Sequence, residues 1–244
     1  MKKYLDIAVK AAFLAGKFLR ESQDKVIHVK ENRLKDLKLE VDFKSDEIII
    51  DIIKNETPWD ILTEEHGCVR RGEDATEYTW IVDPLDGSVN YFSGLPISCV
   101  SIALWRGVIP VIGVVHDFNR GVTYSAMEGT GLFLDGHVIV ADRAHCIESS
   151  ILCTGIPSGV KFDKEYQDVF KNGVESYRKV RLLGSAALSL AYVATGKATM
   201  YRENGIKIWD VAAGLALVRM SGMDYSCIGY PADVSTDVWA GLKG

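Results

Sequence analysis

The chain has 244 residues, 48% hydrophobic and 25% charged, with a formal net charge of −5 at pH 7. That composition fits an ordinary soluble protein built as one large α/β unit or two closely packed subdomains. The acidic balance, with no run of Lys and Arg, argues against nucleic acid as a partner. Five scattered cysteines (Cys68, Cys99, Cys146, Cys153, Cys227) include no CxxC pair, which argues against disulfides or zinc and for a reducing cytoplasm. In chain order, Tyr4, Ile7, Ala8, Ala11, Leu14, Ala15 and Phe18 recur at helical spacing. They predict a surface helix over 2–20, because Asp6, Lys10 and Lys17 interrupt any signal-peptide run. The charged stretch 24–42 predicts a hairpin or loop, and Ile48, Ile49, Ile52 and Ile53 predict a helix over about 43–55. Strands are predicted at 60–63, ending in Glu64-Glu65, and at 80–82. A hairpin is predicted from 97–105 and 108–117, continued by 122–127 and 131–134. Beyond a boundary near 141–150, strands are expected at 151–154, 180–183 and 198–202. Helices are expected at 163–176, after Ala186 to about Ala194, and from Trp209 to about Met220. No segment offers the about 20 consecutive apolar residues of a membrane span.

Residues 80–91 read Trp-Ile-Val-Asp-Pro-Leu-Asp-Gly-Ser-Val-Asn-Tyr. Pro84 fixes its own φ and holds Asp83 extended, while Gly87 admits a tight turn. Asp83, Asp86 and Ser88 therefore share one short turn, which can hold hard cations beside a phosphate. Four acids, Glu64, Asp83, Asp86 and Asp210, each follow an apolar or aromatic stretch. Brought together, they would repel one another unless cations neutralised them. Oxygen-only ligands favour Mg²⁺, Mn²⁺ or Ca²⁺ over zinc. Taken singly, each acid reads better as a surface residue or a helix cap, and Asp210 is placed to cap the helix it opens, but the set is hard to explain that way. Ser88 is either a helix N-terminal hydroxyl satisfying a free N–H or the group that orients a metal-bound water. The amides of Gly87 and Ser88 are natural phosphate donors. Gly184-Ser185-Ala186-Ala187 opens a further helix, where small residues serve close packing or close ligand approach. The chain contains no HExxH, GxSxG, Walker A or GxGxxG.

These residues resemble the inositol monophosphatase family of metal-dependent, lithium-sensitive phosphatases. Residues 83–91 are similar to its DPxDG(T/S)xN(F/Y) signature, and Trp209-Asp210-Val211-Ala212-Ala213-Gly214 to its WDxAAG. Thr63-Glu64-Glu65 resembles its double Glu, and 35–42 its DxVTxxD segment, with order and spacing agreeing over residues 4–223. The resemblance implies an α+β fold, a layered α/β/α/β/α sandwich. Its two subdomains would span 1–145, with the 83–88 motif, and 146–244, with the 209–214 motif. It implies metal ligation by Glu64, Asp83, the Leu85 carbonyl, Asp86 and Asp210, holding two or three Mg²⁺ ions, with Mn²⁺ as a substitute. Ser88 would orient the nucleophilic water, Glu64 would help as base, and Glu65 and Asp42 would support the ligands from behind. Asp86, Gly87, Ser88, Gly184, Ser185, Ala186, Glu203 and Asp210 would bind substrate. The partner would be a small phosphate ester and the assembly a homodimer.

The expected activity is water attack on a polyol or sugar phosphate, inositol monophosphate above all, without a phosphoenzyme. Fructose 1,6-bisphosphate and 3′-phosphoadenosine 5′-phosphate are the alternatives on the same fold. A non-catalytic interaction protein is the alternative of another class. Asn90-Tyr91 resembles inositol or sugar phosphatases, where nucleotide phosphatases more often carry Lys-Glu. A haloacid-dehalogenase DxDG(T/S) motif would need one residue between its acids, and here Pro84 and Leu85 both intervene. The chain departs from the family at Leu39, where Thr is usual, and at Met223, which replaces the second Gly of a common pair. The assisting lysine is Lys30 or Lys35.

Overall fold

The computed structural model describes residues 1–23, 29–33, 36–72, 77–141, 150–156 and 164–242. The N-terminal periodicity becomes α1 (Lys2–Ser22), with Leu5, Ile7, Ala8, Ala11, Ala12, Ala15 and Leu19 along one buried stripe. β1 (Val29–Arg33) and β2 (Asp36–Leu39) pair antiparallel. The hairpin expected over 24–42 thus stops at Leu39, because α2 (Glu40–Glu56) starts there rather than at 43. Asp42 is the cause. Its Oδ2 accepts the Leu39 N–H at 2.8 Å and closes the first helical turn.

The chain continues through β3 (Asp60–Thr63), β4 (Gly67–Val69), β5 (Tyr78–Asp86), the short α3 (Ser88–Phe92), β6 (Cys99–Arg106), β7 (Ile109–Asp117), β8 (Val122–Met127), β9 (Gly131–Leu134) and β10 (His137–Ile139). These strands form one sheet in the order β10-β9-β8-β7-β6-β5-β3-β4. Of its pairings, that of β3 with β5 is parallel. Asp135 (φ 49°) and Gly136 (φ 79°) are both left-handed, as a two-residue hairpin turn between β9 and β10 requires.

The second sheet is built from β11 (Ile151–Thr154), β12 (Lys179–Arg181), β13 (Met200–Lys207), β14 (Asp224–Ile228) and β15 (Ser235–Gly241), in the order β12-β11-β13-β15-β14. Between its strands run α4 (Lys164–Ser176), α5 (Ala186–Ala194) and α6 (Ile208–Met220). β14 and β15 match no expected element. Polar Asp224 and Ser226 fall among the apolar residues of β14, an edge strand with little buried surface, whereas β15 lies between β13 and β14 and alternates buried and more exposed residues over Thr236–Ala240. The expected helix start at Asp163 and the expected division at 145/146 lie outside the described residues.

The layers follow from side-chain alternation. On one face of the eight-stranded sheet, Trp80, Val82, Val100, Ile102 and Leu104 pack with buried residues of α1 and α2. On the other, Ile81, Ala103, Trp105 and Val115 pack with α5 and α6, which also meet Cys153, Tyr201 and Val238 of the second sheet. Phe170 and Gly173 of α4 face Leu152, Val180 and Met200 on the outer face of that sheet across a cavity, with Gly173 close to Leu152. The order is therefore α/β/α/β/α. Helices α5 and α6 are buried on nearly every side, which explains why they are apolar all round. Close approach needs small residues: a Cβ at Gly113 would collide with the Ala213 carbonyl, and one at Gly214 with Leu190.

Candidate metal centre and active-site cavity

Strand alternation delivers the acids to one place. In β5, Trp80 and Val82 face α1 and α2, whereas Ile81 faces α5 and α6. Asp83 therefore turns towards α6. In β3, Ile61 faces the α1 and α2 side and Leu62 the other. Glu64, just past the strand, follows Leu62. Thr63 lies opposite Val82 in the parallel ladder, and the Glu64 N–H extends it to the Val82 carbonyl at 3.3 Å. The N-terminal turn of α6 brings Asp210 to meet them. One ligand oxygen from each of Glu64, Asp83 and Asp210 lies within 4.8 Å of the others.

Asp86 stands next to this triplet and is held by the start of α5. Its Oδ2 accepts from Ser185 Oγ at 2.5 Å and from the Ala187 N–H at 2.8 Å, and its Oδ1 from the Ala186 N–H at 3.3 Å. Ser185 also caps α5 by accepting from the Leu188 N–H. A bulge between Asp83 and Asp86 re-aims the chain. At Gly87 (φ 93°) the backbone turns so tightly that a Cβ would stand 2.8 Å from the Ile97 carbonyl. The Leu85 N–H donates to Asp83 Oδ1 at 2.9 Å, and the Leu85 carbonyl accepts from Ser88 Oγ at 3.0 Å.

These groups surround a cavity of about 620 Å³, whose wall includes Glu64, Asp83, Leu85, Asp86, Gly87, Ser88, Gly184, Ser185, Ala186, Glu203 and Asp210. Two expected site residues are not on that wall. Asp42 is buried at the start of α2, and Glu65 sits behind Glu64 on the turn between β3 and β4. A larger cavity of about 860 Å³ lies between α4 and the second sheet and shares Thr154 and Glu203 with the first. Among the described residues its wall carries no carboxylate triplet, so the smaller cavity is the candidate site.

Burial raises the Asp83 carboxyl well above the usual range, and Glu64, Asp86 and Asp210 raise it further. Asp210 is raised likewise by burial and then by Glu64, Asp86 and Glu203. Burial lifts Asp86 to about 6, against the opposing hydrogen bonds of Ser185, Ala187, Ala186 and Cys99. Burial also lifts Glu203 to about 7, although the Tyr201 hydroxyl donates to it at 2.7 Å. Among the described residues of the wall, Lys207 is the one basic side chain. Crowded carboxylates with so little internal compensation fit hard divalent cations such as Mg²⁺ or Mn²⁺. Asp210 also accepts a backbone hydrogen bond from Lys207, so its cap role and a ligand role coexist.

Asn90 belongs to the site although it was read only as a family signature. Its Nδ2 donates to the Ile97 and Leu183 carbonyls, each at 2.8 Å, and ties α3 to the segment leading into α5. Its position on the turn of the glycine-bearing motif was the available signal. Lys30 Nζ lies 3.9 Å from the centroid of the Phe43 ring, and Lys35 is outside the described residues. Leu39 has no hydroxyl to cap α2, and Asp42 takes over by accepting its N–H.

The model of the inositol monophosphatase family matches residues 1–234. The chain belongs to the inositol monophosphatase family. It is 34% identical to the fructose-1,6-bisphosphatase/inositol-1-monophosphatase of Aquifex aeolicus, over 100% of this chain and 92% of that one. It is 36% identical to the Nus factor SuhB of Haemophilus influenzae, over 91% and 84% of the two chains. Among solved structures, the inositol monophosphatase from Anabaena (Nostoc) is similar with a TM-score of 0.84 and 30% identity, covering 99% of this chain and 91% of that one. The suhB protein of Bartonella henselae is similar with a TM-score of 0.89 and 29% identity, covering 99% and 94%. The inositol monophosphatase family thus includes relatives named as phosphatases and relatives named as Nus factors.

Proposed function

We propose that this protein is a Mg²⁺-dependent phosphomonoesterase for a small polyol or sugar phosphate, with inositol monophosphate the first candidate. The observation that carries the reading is the convergence of Glu64, Asp83 and Asp210 within 4.8 Å, on the wall of a cavity that also exposes Ser88 and Glu203. Glu64, Asp83, the Leu85 carbonyl, Asp86 and Asp210 would hold the ions. Bound there, Mg²⁺ supplies a Lewis acid for the phosphoryl oxygens and lowers the pKa of water. Glu64 takes the proton of the attacking water. The Ser88 hydroxyl, 3.0 Å from the Leu85 carbonyl, orients that water for in-line attack. Glu65 supports its neighbour Glu64 from behind, and Asp42 acts through α2, whose first turn it closes. Gly184, Ser185 and Ala186 let the ester approach the backbone, and Glu203 accepts a hydroxyl of the leaving alcohol.

Charge favours a monoester. Among the described residues five acids and one lysine line the cavity, so a second phosphate meets Lys207 and no described arginine. The name of the Aquifex relative makes fructose 1,6-bisphosphate the strongest competing substrate, and the Nus factor names favour an interaction role as the second reading. Turnover of inositol 1-phosphate, fructose 1,6-bisphosphate and 3′-phosphoadenosine 5′-phosphate, with Mg²⁺ and with or without Li⁺, decides. Inositol 1-phosphate is expected to be turned over fastest and Li⁺ to inhibit. Equal turnover of the nucleotide would remove the polyol preference. Folded, Mg²⁺-loaded protein that hydrolyses none of them would hand the fold to the interaction reading.

A further inference from the structure

Helix α2 carries three polar residues on one face, Asp42, Ser45 and Asp46, each exposed by 2% or less. Their i, i+3, i+4 spacing makes them one stripe. Asp42 closes the helix's own first turn. The other two reach out of the helix. A buried helical serine usually bonds the carbonyl one turn back. Ser45 Oγ instead donates to the Pro84 carbonyl, 39 positions away, at 2.9 Å. That carbonyl lies between Asp83 and Leu85.

Asp46 grips the neighbouring turn. Its Oδ2 lies 2.8 Å from His66 Nδ1, and it shares a further hydrogen bond with the Thr63 side chain. Thr63 Oγ1 in turn accepts the His66 N–H at 2.9 Å. Thr63 and His66 bracket Glu64-Glu65. Alternation explains the division of labour: Thr63 faces α2, and Glu64 faces the cavity.

The sheet alone does not fix these two turns. β3 ends at Thr63, and the pairing of β5 with β6 is broken between Asp83 and Asp86. Residues 64–66 form the turn that joins β3 to β4, and Pro84 and Leu85 bulge out of the ladder between the paired Asp83 and Asp86, so strand pairing holds both stretches only at their ends, and adjacent residues of one rigid helix hold what lies between. We propose that Ser45 and Asp46 are positioning residues that fix the Glu64 turn relative to the Asp83–Asp86 turn and so set the cation affinity of the centre. This inference rests on the metal-centre reading above.

The test uses substrate-free full-length protein, with Mn²⁺ as the probe, titrated by calorimetry or electron paramagnetic resonance. Ser45→Ala and Asp46→Ala are expected to weaken Mn²⁺ binding by about tenfold or more, the range seen when groups behind metal ligands are lost. Ser45→Thr, which keeps the donor, is expected to restore most of the affinity. Ile49→Val, one turn along the same helix and fully buried, is expected to lower the unfolding midpoint and leave Mn²⁺ affinity unchanged. In turnover, Ser45→Ala is expected to raise the Mg²⁺ needed for half-maximal rate while KM for the ester at saturating Mg²⁺ stays put. Alanine is the better helix former, so Ser45→Ala remains a folded test even if Asp46→Ala is not. Unchanged Mn²⁺ affinity in folded Ser45→Ala, or an equal loss in Ile49→Val, overturns the positioning role alone. Wild-type protein that binds no Mn²⁺ overturns the metal centre itself, and the positioning role with it.

Discussion

Asp210 carries two opposed consequences in one carboxyl group. Burial and the adjacent Glu64 disfavour its charge, so without a cation the folded chain is worse off for having it. Asparagine keeps the oxygen that accepts the Lys207 N–H and removes the charge. Asp210→Asn is therefore expected to raise the metal-free thermal midpoint. It is also expected to cut kcat/KM by about 10³-fold or more, since a lost metal ligand removes several kcal/mol of transition-state stabilisation. Melting in chelator and turnover in Mg²⁺ read the two effects separately, and a lower midpoint with full activity would contradict both. Glu203 makes a pH statement. Its folded pKa of about 7 lies above its ordinary 4.5. The folded state therefore binds the extra proton, and this contribution is fully present below about 4.5 and lost as pH rises through about 7. Metal-free protein should lose stability between pH 5 and pH 8. Glu203→Gln, which still accepts the Tyr201 hydroxyl, should reduce that loss by up to about 3 kcal/mol over the whole range. Urea unfolding in chelator at four pH values measures it, and parallel slopes for the two proteins would rule the assignment out.

Helix α6 sets where Asp210 arrives, and Gly113 of β7 sets how close α6 lies to the sheet. A Cβ at Gly113 would collide with the Ala213 carbonyl and stand 2.7 Å from Ala216 Cβ. Gly113→Ala must push the helix outward, at an overpacking cost of about 1–3 kcal/mol. Because a shift of about 1 Å at a catalytic group can cost about 10²-fold in rate, activity should fall further than stability. Chemical unfolding and kcat at saturating Mg²⁺ check this, and a stability loss without any loss of rate would show that α6 does not position Asp210. The same elements show what a sequence discloses. The 3.6 period was readable in α1 because it buries one face, whereas α5, α6 and β5, buried on nearly every side, read as continuous apolar or small-residue runs. β14 was not readable, since an edge strand with mixed polar content leaves no clean alternation, and in β15 the buried positions are held by Thr236, Val238 and Ala240, too small and mixed a set to stand out as an apolar period. Asp42 looked like part of a charged loop because its capping partner is its own backbone. Ser45, Asp46 and Asn90 form hydrogen bonds to turns and residues distant in sequence, and no local period encodes such partners.

The two sheets contribute to one centre in a way neither could alone. β3 and β5 present Glu64 and Asp83, while α6, lying between the sheets, presents Asp210, and the start of α5 holds Asp86. The candidate ligand acids read from the sequence as a set because Asp83, Asp86 and Asp210 sit in two specific motifs. Their convergence required the β3–β5 parallel pairing, which no motif states. A cation bound here joins segments from both halves of the chain, and only when they are folded. Binding to the native state alone stabilises it by RT ln(1 + [L]/Kd), about 2.7 kcal/mol at a hundredfold excess over Kd. For a chain of this size each kcal/mol moves the thermal midpoint by about 2–4 °C, so Mg²⁺ should raise it by about 5–10 °C. The gain must depend on pH. The raised carboxyls of Asp83 and Asp210 hold protons in mild acid that a cation has to displace. Metal stabilisation should therefore be larger at pH 8 than at pH 5, opposite in direction to the metal-free protein's own loss of stability with rising pH. Thermal scans with Mg²⁺ or chelator at both pH values decide the matter: equal midpoints at pH 8, or a larger Mg²⁺ gain at pH 5, would show that these carboxylates do not hold the ion.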